Sequence, residues 1–138
     1  MRVRIAIESG APGHYLVAAY AGSTPAGSLY VYTWPDADVI MLYDRATERA
    51  PQAPGMWMSH LWVEPEFRQQ GIATKLVAAA LDEGKRRGMK HGWVDEHVHP
   101  WSARITRRLL RQMGARVHFR RYYRGSRATA QADLYWIF

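Results

Sequence analysis

The residues best suited to chemistry stand where an apolar run meets a long helical pattern. Arg68, Gln69, Gln70, Gly71, Ile72, Ala73 and Thr74 follow "LWVEPEF" and open a stretch whose apolar residues recur at helical spacing. The first N–H groups of a helix have no acceptor within that helix, and they sit at the positive end of its dipole. A glycine at that point lets the backbone approach a ligand closely. The combination suits a phosphate or a diphosphate. Arg68 adds a full positive charge, and Ala73 is small enough to keep the first turn clear. No Gly-Lys-Ser/Thr follows, and the glycine spacing is not that of a dinucleotide fingerprint, so both of those phosphate motifs are excluded. Two readings of the hinge remain: an anion site, or an ordinary strand-to-helix turn that uses Gly71 for its geometry.

A second group of polar residues lies in "KHGWVDEHVH", residues 90–99. Strand alternation puts Trp93, Asp95, His97 and His99 on one face and Val94, Glu96 and Val98 on the other. Imidazole titrates near pH 6.5, so His97 or His99 can take a proton at neutral pH, and Asp95 can orient it or raise its pKa. A metal reading of the His-x-His pair lacks an evident third ligand, and no metal is expected. Satisfied polar side chains are the other reading. His60, alone on an apolar strand, is a further candidate base but reads as a packed core residue. Met56, Trp57, Met58 and Trp62 read as core.

The chain has 138 residues, 48% of them hydrophobic, which is the size of one domain with one sizeable core. The expectation is a single domain over residues 1–138. The chain contains no cysteine, which excludes disulfides, thiolate nucleophiles and Cys-based zinc sites and fits a cytoplasmic location. No apolar run is long enough for a transmembrane helix. The opening "MRVRIAIESG" is interrupted by Arg4 and Glu8, so it reads as a strand and not as a signal peptide.

The net charge is +7 and is unevenly distributed. Residues 1–60 hold four Arg/Lys and five Asp/Glu, giving −1, whereas residues 61–138 hold fifteen and seven, giving +8. Arg104, Arg107, Arg108 and Arg111 fall on one side of a predicted helix. They read as a solvated face, as a contact for a ligand phosphate, or as a track for tRNA or DNA, with Trp101, Tyr122 and Tyr123 interleaved.

The elements that must position these residues follow from pattern. Strands are expected at 2–8, 14–22, 27–34, 55–63, 90–99, 115–123 and 131–138. Helices are expected from about Gly71 to Arg87 and over about 103–113, with Ser102 as cap of the second after Pro100 stops a strand. Residues 35–55 read as a long excursion bounded by prolines. The C-terminal "LYWIF" offers a surface for a homodimer.

The string "LWVEPEFRQQGIATKLVAAAL" resembles motif A of the GNAT superfamily of acetyl-CoA-dependent N-acetyltransferases. Arg68, Gly71 and Ala73 fill its defining slots, and Val63 and Pro65 fill the approach. The resemblance runs over about residues 56–115. It implies a mixed α/β (α+β) fold, a central splayed sheet of about seven strands flanked by helices, with the usual helices after the first strand shortened or absent. It also implies acetyl-CoA as co-substrate. Residues 68–74 would bind the diphosphate, and Leu61, Trp62 and Val63 the pantetheine arm through their backbone. The thioester would lie in a gap between this strand and the one at 90–99, and a primary amine would attack it directly. The acceptor is a small or macromolecular amine. The chain departs from the family on the second helix, where Ala103 and Leu110 occupy the slots usual for Asn and for the Tyr that protonates the departing thiolate. That departure, with the basic half, leaves a rival reading as a nucleic-acid-binding module on the same fold.

Overall fold

The computed structural model describes residues 2–10, 13–34, 54–95, 100–123 and 130–138. Seven strands form one sheet: β1 (Val3–Ser9), β2 (Tyr15–Ala21), β3 (Thr24–Trp34), β4 (Gly55–Val63), β5 (His91–Asp95), β6 (Arg116–Tyr123) and β7 (Ala130–Ile137), in the order β1-β2-β3-β4-β5-β7-β6. Among the described residues two helices accompany them, α1 (Ile72–Arg86) and α2 (Pro100–Gln112). All neighbours pair antiparallel except β4 and β5, which run parallel. The expected sheet of about seven strands flanked by helices is therefore present.

Between β1 and β2, Gly10 N–H donates to the His14 carbonyl at 3.1 Å, and among the described residues no helix lies between the first two strands. Pro100 opens α2 rather than merely ending a strand, because proline lacks only an N–H that the first helical turn would leave unpaired. Ser102 consequently lies inside the helix and does not cap it; its carbonyl accepts the Thr106 hydroxyl at 2.8 Å. Residues 35–53 and 96–99 fall outside the described residues. The excursion expected at 35–55 and the pair His97 and His99 are thus not located, while Asp95 closes β5 opposite Asp133.

Both helices pack on one face of the sheet. α1 buries Ile72, Leu76, Val77, Ala80 and Leu81, the stripe its spacing predicts. These meet Val17, Leu29, Val31, Met56 and Met58 from β2, β3 and β4. Tyr15, fully buried, donates its hydroxyl to the Ala80 carbonyl at 2.7 Å, and burial keeps that phenol un-ionised. α2 adds Ala103 and Leu110 to the same core, beside Val94, Leu134 and Trp136. Gly84 brings α1 close to β4, since a Cβ there would collide with the Met56 sulfur. The helix ends at Gly88 (φ 87°), with Gly88 N–H on the Lys85 carbonyl and Met89 N–H on the Gly84 carbonyl, both at 3.0 Å. On the opposite face, alternation places Tyr32, Trp57 and Trp93 in a continuous stack. Trp57 lies 5.1 Å from Tyr32 and 5.2 Å from Trp93, the second pair nearly coplanar at 5°.

The C-terminal "LYWIF" is taken up within the chain. β7 lies between β5 and β6, with Leu134 and Trp136 buried. Among the described residues no helix is long and apolar enough to cross a membrane.

Candidate active site

The sheet parts where the sequence places its hinge. β4 and β5 pair only through Gly55–His91, Met56–Gly92 and Trp57–Trp93. Among the described residues, β4 then runs on to Val63 with β3 as its only strand neighbour. The separation leaves one side of β4 without a ladder partner at the point where it leads into the loop and α1.

A bulge marks the same place. β3 advances two residues from Ser28 to Tyr30 while its partners in β4 step three, from Trp62 to Ser59. The extra residue is accommodated at His60, whose φ of 56° is left-handed, a state uncommon outside glycine but one that histidine enters more often than most residues. The bulge turns His60 outward, so it is exposed and not the packed core residue expected. Ser59 Oγ and His60 Nδ1 lie 2.8 Å apart, which fixes the ring. Trp62 is likewise not core. It is 51% exposed, with the Arg68 guanidinium 4.7 Å from its ring centroid. Met56 and Met58 are buried as expected, and Trp57 is half-buried in the aromatic stack.

Beyond Val63, a 3₁₀ turn (Pro65–Phe67) leads into the loop. Arg68 ties the loop back to the strand, its Nε donating to the Val63 carbonyl at 2.9 Å. Neither terminal guanidinium nitrogen has a hydrogen-bond partner among the described residues. Gln69 (φ 63°) and Gly71 (φ 76°) are both left-handed, and these two turns fold the backbone so that α1 starts abruptly. Its ladder begins with Lys75 N–H on the Gly71 carbonyl at 3.2 Å, so the N–H groups of Ile72, Ala73 and Thr74 have no helical acceptor. A Cβ at Gly71 would meet no atom within 4 Å, so the space before these donors is open.

The donors look onto a groove of about 560 Å³. Loop and helix start contribute Arg68, Gln69, Gly71, Ile72, Ala73 and Thr74, and the strand end contributes Trp62 and Val63. Eight of the ten sequence-expected cofactor residues therefore converge. Leu61 does not line the groove because its side chain is in the core, and Gln70 lies exposed on the loop outside it. The opposite wall was missed by sequence reasoning: Phe67 from the turn, and Trp101 with Ile105 from α2. The spacing of four between Trp101 and Ile105 on an otherwise basic helix is the signal that could have found them. The lining is largely apolar with a cationic, N–H-rich end, which fits a long organic arm carrying a diphosphate.

The departures on α2 are structural as well as sequential. Leu110 and Ala103 are fully buried in the core, and the Thr106 hydroxyl is engaged on the Ser102 carbonyl. No acid for a departing thiolate comes from those three slots. Tyr122 and Tyr123 lie on β6, in register with Gln131 and Ala130.

The acetyltransferase (GNAT) family model matches residues 1–115, an interval containing the loop, the split and α2. The chain belongs to the GNAT acetyltransferase family. It is an acyltransferase by that membership. The fold has many solved counterparts in this family. A GNAT-family acetyltransferase from Desulfovibrio desulfuricans superposes with a TM-score of 0.59 at 16% identity, covering 92% of this chain and 69% of that one. A Bacillus subtilis acetyltransferase in complex with CoA gives 0.56 at 13% identity, covering 99% and 98%. Diaminobutyrate acetyltransferase from Paenibacillus lautus, bound to 2,4-diaminobutyrate and coenzyme A, gives 0.58 at 12% identity, covering 88% and 68%. At these identities the likeness is one of fold. No curated protein matches the chain in sequence.

Proposed function

We propose that residues 1–138 form one N-acetyltransferase domain that moves an acetyl group from acetyl-CoA to a primary amine. The observation that carries this reading is the row of unpaired N–H groups behind left-handed Gly71, opening on a groove where β4 and β5 part. The diphosphate would sit on the N–H groups of Ile72, Ala73 and Thr74, with Arg68 beside it. The pantetheine arm would follow the apolar groove between Trp62, Val63 and the α2 wall, bringing the thioester to the split.

The amine nitrogen attacks the thioester carbonyl, the C–S bond breaks, and the amine's excess proton passes to a base. The sulfur leaves as thiolate and is protonated by solvent or by a group outside the α2 slots. No acyl-enzyme is required. Asp95, His97 and His99 are the base system that strand alternation suggests. His60 is a second candidate, favoured by its exposed bulge position beside the split and by the Ser59 hydroxyl. In the tautomer that donates from Nδ1 to Ser59 Oγ, Nε2 carries the free lone pair. The nucleic-acid reading finds no support beyond the charge itself. The small amines taken by related folds, 2,4-diaminobutyrate and agmatine, head the acceptor screen.

Thermal stability with acetyl-CoA, and separately with tRNA or duplex DNA, tests the reading. Ligand at 100 times its Kd adds about 2.7 kcal/mol. A response to acetyl-CoA is expected, and a response to nucleic acid alone would overturn the proposal. Thiol release with a panel of amines then identifies the acceptor. His60→Gln is expected to lower kcat with acetyl-CoA binding intact, whereas an unchanged kcat returns the base role to His97 or His99.

A further inference from the structure

The sheet face away from α1 and α2 carries aromatic rings at successive outward positions. Tyr30, Tyr32 and Trp34 leave β3 on this face, Trp57 leaves β4 and Trp93 leaves β5. Tyr32, Trp57 and Trp93 lie opposite one another in register across the three strands. Their centroids are 5.1 and 5.2 Å apart, and their planes differ by 24° and 5°. That separation is too short for rings lying side by side in one plane, so they stand on the sheet with faces turned to one another. Both faces of Trp57 are therefore taken by its neighbours, and the row directs ring edges away from the sheet. Trp34 reaches Trp93 at 5.2 Å because Gly55, its partner on β4, has no side chain in the way; a Cβ there would come within 2.6 Å of the Trp34 indole. Trp34 and Trp93 are fully buried, whereas Tyr32 and Trp57 are half-buried and hold the accessible edges. Tyr30, at 4.7 Å and 61° from Tyr32, closes the row. The row borders the split: Trp57–Trp93 is the last pair of the β4–β5 ladder, and Tyr30 lies opposite Ser59, the neighbour of His60. None of these rings lines the groove beside α1.

We propose that these ring edges receive the non-reacting part of the acceptor, and that the acceptor is an arylalkylamine: a flat aromatic body joined by a short tether to a primary amine. The inference rests on the acetyl-transfer reading given above and adds the chemistry of its acceptor. An aromatic ring is electron-rich on its face and electropositive at its edge. A row of edges is unfavourable to an ammonium, which seeks a face, and it attracts the face of another ring in an edge-to-face contact. Neither β3 nor β4 contains an acidic residue, so these strands offer no carboxylate for the second charge of a diamine. The charge of the acceptor is thus confined to its reacting end. A ring laid across Tyr32 and Trp57 brings that end to the split, beside Ser59 and His60, where the thioester would lie.

Calorimetric titration of the coenzyme A-loaded protein with phenethylamine, cyclohexylethylamine and agmatine tests the proposal, while two-dimensional NMR of the indole N–H groups reports where the ligand sits. The cyclohexyl compound keeps the tether and the amine but has no π face. Wild type is expected to bind phenethylamine about two- to tenfold more tightly than the cyclohexyl compound, the worth of one aromatic pair. It is also expected to bind phenethylamine more tightly than agmatine, and to shift the Trp57 indole signal, which Trp57→Phe assigns. Tyr32→Leu is expected to abolish the preference for the aromatic ring with coenzyme A affinity unchanged. The wild-type affinities and the NMR map decide the matter even where Tyr32→Leu fails to fold. Equal affinity for the phenyl and cyclohexyl amines overturns the inference, as does tighter binding of agmatine, and both results leave the acetyl-CoA reading in place. An aromatic preference without a shift at Trp57 overturns it too, because the ring then lies elsewhere. So does failure of all three amines to bind a protein that holds coenzyme A. A wild-type dimer in sedimentation that Tyr32→Leu converts to monomer assigns the face to a second copy of the chain and overturns the acceptor wall. Failure to bind coenzyme A at all overturns both readings together.

Discussion

α1 and α2 lie on the same face of the sheet and line the same groove, yet their sequences relate to it in opposite ways. α1 follows the family pattern closely: its apolar stripe is buried, and its first turn and the preceding loop carry the donors. α2 retains the packing and drops the chemistry. Its two slots that usually carry polar groups hold Ala103 and Leu110, both buried, while its polar side has become arginine. On the proposed reading, the difference teaches that donor recognition and proton handling are separable on this fold: a helix can remain a wall of the groove without supplying an acid.

The comparison breaks most severely if Leu110 is not core. Leu76→Ala on α1 and Leu110→Ala on α2 are each expected to destabilise the protein by about 2–5 kcal/mol in denaturant unfolding. A near-zero effect at Leu110 alone would show that its slot still faces the chemistry. Leu110→Tyr, which restores the family residue, is expected to cost about 1–3 kcal/mol by overpacking and to bring no gain in turnover. Gly71→Val attacks the α1 side. Valine in a left-handed turn strains the backbone by about 1–2 kcal/mol, and its side chain enters the space in front of the N–H row. Acetyl-CoA affinity is expected to fall about 100-fold, roughly two hydrogen bonds to a charged group, with the folded state retained in circular dichroism.

Arg68→Ala removes one charge and is expected to weaken acetyl-CoA by about tenfold. It also uncovers the Trp62 ring, so tryptophan emission should change even without ligand. The smallest effects are those of pH, and they fall on parts of the fold away from the groove. Burial lowers the pKa of His14, whose Nδ1 accepts the Thr33 N–H at 2.9 Å. A lowered folded pKa means stability that is complete above the unfolded value near 6.5 and is lost as pH falls through the folded value. Glu83 has the same sign at lower pH. Arg86 first, by hydrogen bonding, and then Arg87 hold its carboxylate below the usual range, so its contribution disappears only in stronger acid. Melting temperature should therefore decline in two steps below about pH 6.5, and His14→Gln should remove the first.

The fold was legible because periodicity carried it. Seven alternating or apolar runs became seven strands, and the stripe at Ile72, Leu76, Val77, Ala80 and Leu81 became the buried face of α1. The loop was legible because a turn that must open a helix abruptly leaves its mark as left-handed Gly71 and small Ala73; that it holds an anion is the proposal made above. What escaped was the phase of β4. A strand whose residues from Met56 to Val63 are all apolar except Ser59 and His60 shows no alternation that would reveal an extra residue entering at His60. A one-residue shift changes which side chains face out, and so His60 and Trp62 were assigned to the core. Trp101 and Ile105 escaped because the arginines dominate α2, although both recur at the spacing that makes a wall.

The short parallel ladder between β4 and β5 has a mechanical corollary. Among the described residues, three residue pairs of one strand ladder join the leaf β1–β4 to the leaf β5–β7–β6, with α1 and α2 touching across the top. A molecule lying along the groove would rest on β4 and α1 on one side and on α2, which packs against β5 and β7, on the other, and so act as a clasp between the leaves. Slower amide exchange on loading should then be felt most in β5 and β7, strands that the ligand barely contacts.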